Sequence, residues 1–167
     1  MQKSFVIRRA FVIPLGLLIV LMFSLLVVCV VQGQPLAKSI ILFGLSLPPL
    51  ALFVESAFRR LVIDAGGVSA FRPFRHRRIE FAAVTSLEAV RVRSRVFLTL
   101  VAGDDEFLII SNSYGDFAGL VGTLVAALPP EAVTEEAAQL AKSPPQRSAD
   151  IFTAWFAVAA LVYVLVA

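Results

Sequence analysis

Twenty-two consecutive residues, 10–31, carry no charge, and no other feature narrows so sharply what the chain can become. As a helix rising 1.5 Å per residue the run is roughly 33 Å long, enough to cross a hydrocarbon core about 30 Å thick. Lys3, Arg8 and Arg9 precede it. A secretory signal has a shorter apolar core and a small-x-small cleavage site. Val31-Gln32-Gly33 is a poor site of that kind, so an uncleaved membrane helix is predicted. Pro14 is placed in its first turn, where a missing N–H costs little. Cys29 is the single cysteine, which excludes an intramolecular disulfide. Val28 before it argues against lipidation, because that position is normally Gly, Ala or Ser.

A turn at Gln32-Gly33-Gln34-Pro35 leads to a second apolar run, residues 36–58, with Lys38 near its start and Glu55 near its end. Pro48-Pro49 removes two backbone donors in mid-run and predicts a kink. Glu55 reads as the i,i+4 partner of Arg59 rather than as a functional intramembrane carboxylate. Residues 151–167 are again uncharged, with Trp155 and Tyr163 near the two ends; as a helix they span roughly 26 Å, short but sufficient. Composition points the same way: 59% hydrophobic and 16% charged, against about 45–50% and about 25% in soluble domains. Lys3, Arg8, Arg9, Arg59 and Arg60 flank the open ends of the first hairpin, whereas its turn has only Lys38. The positive-inside rule therefore predicts a multi-pass protein of the cell (inner) membrane, with the N-terminus and the following module cytoplasmic and the C-terminus on the opposite side.

Four regions are expected: a transmembrane hairpin over 1–60 (helices 10–31 and 36–58), a polar module over 61–128, a linker over 129–150, and a last transmembrane helix over 151–167. Within the module, Ala65-Gly66-Gly67 separates two β-rich runs and predicts a hairpin. Further runs cover residues 78–82, 84–93, 96–102 and 106–111, with a turn expected at Gly103-Asp104-Asp105. Val90 and Val92 alternate with Arg91 and Arg93, which reads as a half-buried antiparallel strand. Ser111-Asn112-Ser113 supplies N-cap chemistry for a closing helix. Phe117, Leu120, Val121, Leu124 and Leu128 lie on one face of it, and Pro129-Pro130 ends it. Beyond that, Glu131, Glu135 and Glu136 read as a solvated linker with a short helix, and Ser143-Pro144-Pro145 as extended chain.

The run Ile63-Asp64-Ala65-Gly66-Gly67-Val68, then Phe74, Arg78-Ile79, Val84-Thr85-Ser86-Leu87, and residues 111–117 with Leu120 and Leu124, resembles the bacterial pleckstrin-homology-like (PH-like) domains often found beside membrane hairpins. The resemblance implies an α+β fold: a small, strongly bent antiparallel β-sheet or barrel capped by a C-terminal helix, set between the transmembrane hairpin and the third span. Phosphoinositide-binding members carry bases around the first hairpin; Ala65-Gly66-Gly67 carries none.

No catalytic constellation is visible. His76 is the only histidine, which leaves no triad and no metal set, and Gly115, Gly119 and Gly122 lack the lysine and context of a phosphate loop. Neither enzyme activity nor a cofactor is expected. Two features remain. Arg72, Arg75, Arg77 and Arg78 form a basic hairpin around Phe74, either a solvated turn or a site for anionic headgroups. The patch is too small, and too bare of recognition motifs, for nucleic acid. On the closing helix, Ala118, Gly119, Gly122, Thr123 and Ala126 make an uncharged back of small residues, which lets another backbone approach closely. The expected role is a non-enzymatic adaptor in a membrane assembly, with a membrane-protein partner or a homo-oligomer. The alternative is a sensor or handler of anionic membrane lipids.

Overall fold

The computed structural model describes residues 2–93, 95–103, 106–142 and 149–166. The expected turn residues Asp104 and Asp105 and the Ser143-Pro144-Pro145 tract lie outside them. In chain order the elements are β1 (Lys3–Val6), α1 (Arg9–Val31), α2 (Leu36–Phe58), β2 (Arg60–Ile63), β3 (Gly67–Arg72), β4 (Arg75–Glu80), β5 (Val84–Val92), β6 (Arg95–Ala102), β7 (Glu106–Ser111), α3 (Phe117–Ala127), α4 (Glu135–Lys142) and α5 (Ala149–Val166). They fall into two units: residues 2–8 with 58–142, and residues 9–57 with 149–166.

In the second unit α1, α2 and α5 are each long and apolar enough to cross a membrane, as in a membrane protein. α1 packs against α5, and Leu15, Ile19, Ala154 and Val158 are buried. Other apolar side chains, among them Val20, Ile40 and Phe156, stay exposed, as on a helix whose solvent is lipid. α1 starts at Arg9, so Pro14 sits in its second turn rather than its first. α2 keeps its helical assignment through Pro48-Pro49. Leu25, Cys29 and Lys38 share a recess with Val164 and Leu165, which places the last turn of α5 at the same end as the α1–α2 turn.

The first unit holds two antiparallel sheets, β1-β2-β3-β4 and β5-β6-β7. They remain separate sheets rather than one closed barrel. β1 comes from the residues read as the cationic flank of the first span. It pairs with β2 from Lys3↔Ile63 to Val6↔Arg60, so the whole α1–α2 hairpin is inserted between two paired strands. Alternation decides which side chains enter the core: Phe5 and Ile7 are buried while Ser4 and Val6 are exposed. Leu61, Ile63, Val68 and Ile79 line the first sheet's inner face, and Leu87, Val96, Leu98, Leu100 and Ile110 the second's. α3 closes this core with Phe117, Leu120, Val121 and Leu124, all at most 2% exposed.

Three expectations are corrected. The N-cap of α3 is Asp116, whose carboxylate accepts from Gly119 N at 2.9 Å; Asn112 is fully buried instead, and the turn from β7 consumes the intervening residues. In β5 the buried residue is Leu87, while Val90 and Val92 are 50% and 53% exposed. The parity of the strand is set by Leu87, so the valines fall on the outer face. Finally, residues 130–142 contain the expected short helix and keep Glu131, Glu135 and Glu136 exposed, but they pack against the module rather than standing free. Val133 bridges to Leu87, and Thr134 donates to the Leu87 carbonyl from both its N–H and its hydroxyl, at 3.2 and 3.0 Å. Ala132 and Ala137 are buried beneath α4 and the 3₁₀ turn before it.

The first hairpin depends on a glycine for lack of space. A Cβ on Gly67 would overlap the Ile79 carbonyl oxygen and lie 3.0 Å from Glu80 Cα, both backbone atoms of the paired strand β4. Gly67→Ala is expected to cost about 1–3 kcal/mol as overpacking against a neighbour that cannot rotate away. Urea unfolding of the solubilised chain measures it, and an unchanged midpoint would contradict the close approach.

Candidate functional site

The β3–β4 hairpin carries its arginines on two faces. Cross-strand pairs Val68↔Ile79, Ala70↔Arg77 and Arg72↔Arg75 share the core-facing side, because opposed residues point the same way. Along the hairpin that face passes from buried aliphatics to Arg77, Arg72 and Arg75, all exposed. Pro73 and Phe74 make the two-residue tip, and Phe74 is 99% exposed.

This arginine-bearing end meets β7. Ala70, Arg72, Arg75 and Arg77 line one groove with Phe107, Leu108 and Ile109, about 280 Å³ in volume. Arg77 Nη1 donates to the Phe107 carbonyl at 2.7 Å, and its guanidinium lies 5.9 Å from that ring's centroid. Three of the four arginines picked out in the sequence thus converge, with an apolar wall that sequence reasoning missed. Every residue from Phe107 to Ile110 is apolar, so no alternation revealed which of them faces outward.

Arg78 belongs elsewhere. It shares the opposite face with Ser69, donates to Asp64 Oδ2 at 2.8 Å and Oδ1 at 3.2 Å, and reaches Ser69 Oγ at 3.4 Å. Asp64 Oδ1 also accepts from Gly66 N and Gly67 N, each at 2.9 Å. The Arg78 hydrogen bond first, and the Gly66 N–H next, hold the Asp64 carboxyl below the ordinary aspartate range. A depressed carboxylate stabilises the fold above its unfolded-state pKa, and that stabilisation is lost as pH falls through the folded value. Acid unfolding is therefore expected to include a loss below about pH 4 that Asp64→Asn abolishes. Thermal midpoints across pH 2–7 (roughly the span where carboxylates titrate) measure it; identical profiles for the two proteins would contradict this role.

On the back of α3, Ala118 and Ala126 are exposed and Gly119, Gly122 and Thr123 half-buried. Gly119 has a local reason: a Cβ there would overlap the Asp116 capping carboxylate. Thr123 donates to the Gly119 carbonyl at 2.6 Å and accepts from Lys3 Nζ at 3.2 Å. The charge missing from this helix face in the sequence is therefore supplied by β1. Of the two glycines on this face, Gly122 is the one with open space, with nothing within 4 Å of a Cβ.

His76 stacks on Phe71 with ring centroids 4.5 Å apart, on the face away from the groove. Among the described residues no group of three or more His, Cys, Asp or Glu is placed to hold a metal ion. Compared with family models, curated proteins and solved structures, the chain matches none.

Proposed function

We propose that this chain is a non-enzymatic integral membrane protein whose PH-like module binds anionic phospholipid headgroups. The observation that carries the reading is the convergence of Arg72, Arg75 and Arg77 on one groove beside Phe107 and Ile109, while Arg78 is paired with Asp64. Guanidinium groups suit phosphate oxygens, which they bind bidentately. Phe74 at the tip adds an apolar contact that a solvated turn does not need. Two antiparallel meanders of four and three strands, followed by one closing helix, support the PH-like assignment.

The proposed topology has two supports. Pairing of β1 with β2 requires both strands on one side of the membrane, which a two-span hairpin satisfies. The shared recess at the α1–α2 turn and the end of α5 suits a C-terminus on the other side. Positive-inside charge then makes the module cytoplasmic.

The test is hydrogen exchange over residues 70–79 of the full chain in nanodiscs. Each arginine near an anionic surface is worth about 1 kcal/mol, so phosphatidylglycerol should slow exchange there relative to phosphatidylcholine alone. Replacing Arg72, Arg75 and Arg77 together by Gln removes about 3 kcal/mol by the same arithmetic, so that slowing is expected to fall about a hundredfold. Exchange indifferent to lipid charge would end the reading. The adaptor reading keeps one specific support, the open Gly122 position between exposed Ala118 and Ala126.

A further inference from the structure

The second sheet is apolar on both faces. Cross-strand register puts Val90 opposite Phe97, Val101 opposite Phe107 and Thr99 opposite Ile109, and all six lie on the side away from the core. Val90, Phe107 and Ile109 are 50%, 50% and 42% exposed, and Val92 beside them 53%. An antiparallel sheet with one face on the core normally turns a polar face to water. Here the outer face has a single carboxylate, Glu88, opposite Thr99. A contiguous apolar surface of this kind marks a contact site.

Its surroundings identify the occupant. At the β5–β6 end Arg95 is paired with Val92 and shares the outer face with it, and Arg93 is exposed in the turn beside them; Arg91, paired with Val96, lies on the other face. Along β7 the groove of Arg72, Arg75 and Arg77 borders Phe107 and Ile109. Glu106, which opens β7, is paired with Ala102, at the other end of β6 from Arg95. An apolar patch rimmed by guanidinium groups complements the interfacial zone of an anionic bilayer, where acyl chains meet phosphates. The chain carries three helices able to anchor it in that bilayer, so the surface is always at high effective concentration.

We infer that the outer face of β5–β6–β7 docks on the anionic membrane surface, with the end that carries Arg93 and Arg95 leading. This rests on the headgroup reading and extends it from a groove that holds a phosphate to a sheet face that lies on the lipid. A soluble anion would use the groove and leave the face wet. A second copy of the chain is the competing occupant, and the experiment separates the two.

The full chain, with Cys29→Ser, is placed one copy per nanodisc of phosphatidylcholine with phosphatidylglycerol. A fluorophore is attached at Val90→Cys or Val92→Cys, and at exposed Glu136→Cys on α4 as the control. Because Val90 and Val92 are outside both the core and the groove, labelling there leaves the fold intact, and retention of the unlabelled thermal midpoint verifies it. Phospholipid brominated high on its acyl chain is expected to quench the two sheet positions several-fold more than Glu136, and these positions should be protected from aqueous iodide. Iodide quenching equal to that at Glu136 would overturn the inference. So would protection from iodide without bromolipid quenching, or protection seen only with two copies per disc, which assigns the face to protein. The two readings fail differently. If residues 70–79 respond to phosphatidylglycerol while the sheet positions stay wet, the groove binds anions and the docked face is wrong. If bromolipid quenches them equally in phosphatidylcholine alone and after Arg72, Arg75 and Arg77 become Gln, the face docks and the headgroup reading falls.

Discussion

A chain that begins at Arg9 is expected to keep its membrane helices and lose its folded module. β1 supplies Phe5 and Ile7, 7% and 6% exposed, and burying two such side chains is worth about 3–6 kcal/mol in all. Its loss also removes the hydrogen bonds from Gly115 N to Val6 O and from Arg8 N to Ser113 O, which tie the strand to the approach to α3. β2 is left as an unpaired edge, a template for aggregation. Against a total stability of about 5–15 kcal/mol for a typical domain, that loss is decisive. The reciprocal chain, residues 2–8 joined through a short turn to 59–142, is expected to fold without any membrane helix. Val6 and Arg60 are directly paired, and opposed Cα atoms in an antiparallel pair are only about 4.5–5.5 Å apart. Soluble yield and amide dispersion in NMR spectra measure both. A folded module without residues 2–8, or a reconnected chain that fails to fold, would contradict the role of β1.

That strand shows where the sequence stops being legible. Lys3-Ser4-Phe5-Val6 is four residues beside a long apolar run, and its partner β2 comes after both α1 and α2. Local periodicity cannot see a pairing across that distance, so the basic residues dominated the reading and the alternation of Phe5 and Ile7 passed as a charged flank. The α3 core face was legible because eleven residues give three turns of 3.6-residue periodicity. The Asp64–Gly67 hairpin was legible because turn chemistry is local. In the segment 130–142 the short helix and its exposed glutamates were legible and its packing was not, because alanine and glutamate describe a solvated helix and a thinly packed one equally well; Val133 and Thr134 against Leu87 distinguish them.

At the candidate site, composition located the arginines and could not sort them. Arg75 and Arg77 share a parity with Ile79, and Arg78 does not; which parity faced the core needed the position of the second sheet. The same ambiguity hid the outer face of that sheet. Val90 and Val92 looked like the buried half of an alternating strand because apolar residues are assigned inward by default. In a membrane protein that default weakens, since an apolar face can be satisfied by lipid as well as by a core.

The last expectation concerns α3 and decides whether its back is an interface. Leu120 is fully buried, so Leu120→Ala is expected to destabilise the module by about 2–5 kcal/mol, the transfer term plus the cavity left by incomplete collapse. Gly122, two residues on, points away from the core, with nothing within 4 Å of a Cβ. Gly122→Leu should leave the fold intact and gain several tenths of a kcal/mol or more of helix propensity. The contrast is strong because both changes lie on one helix and differ only in the face they alter. Denaturant unfolding of the full chain in detergent reads both effects. A Gly122→Leu protein that unfolds would mean that this face is covered within the chain itself. If the adaptor reading holds, the new side chain occupies the space a partner's backbone needs, and protein co-purifying with the wild type should be lost while stability is unchanged. Retention of every such protein on a folded Gly122→Leu chain would remove α3 as an interface and leave the arginine groove and the outer face of β5–β6–β7 as the module's candidate sites.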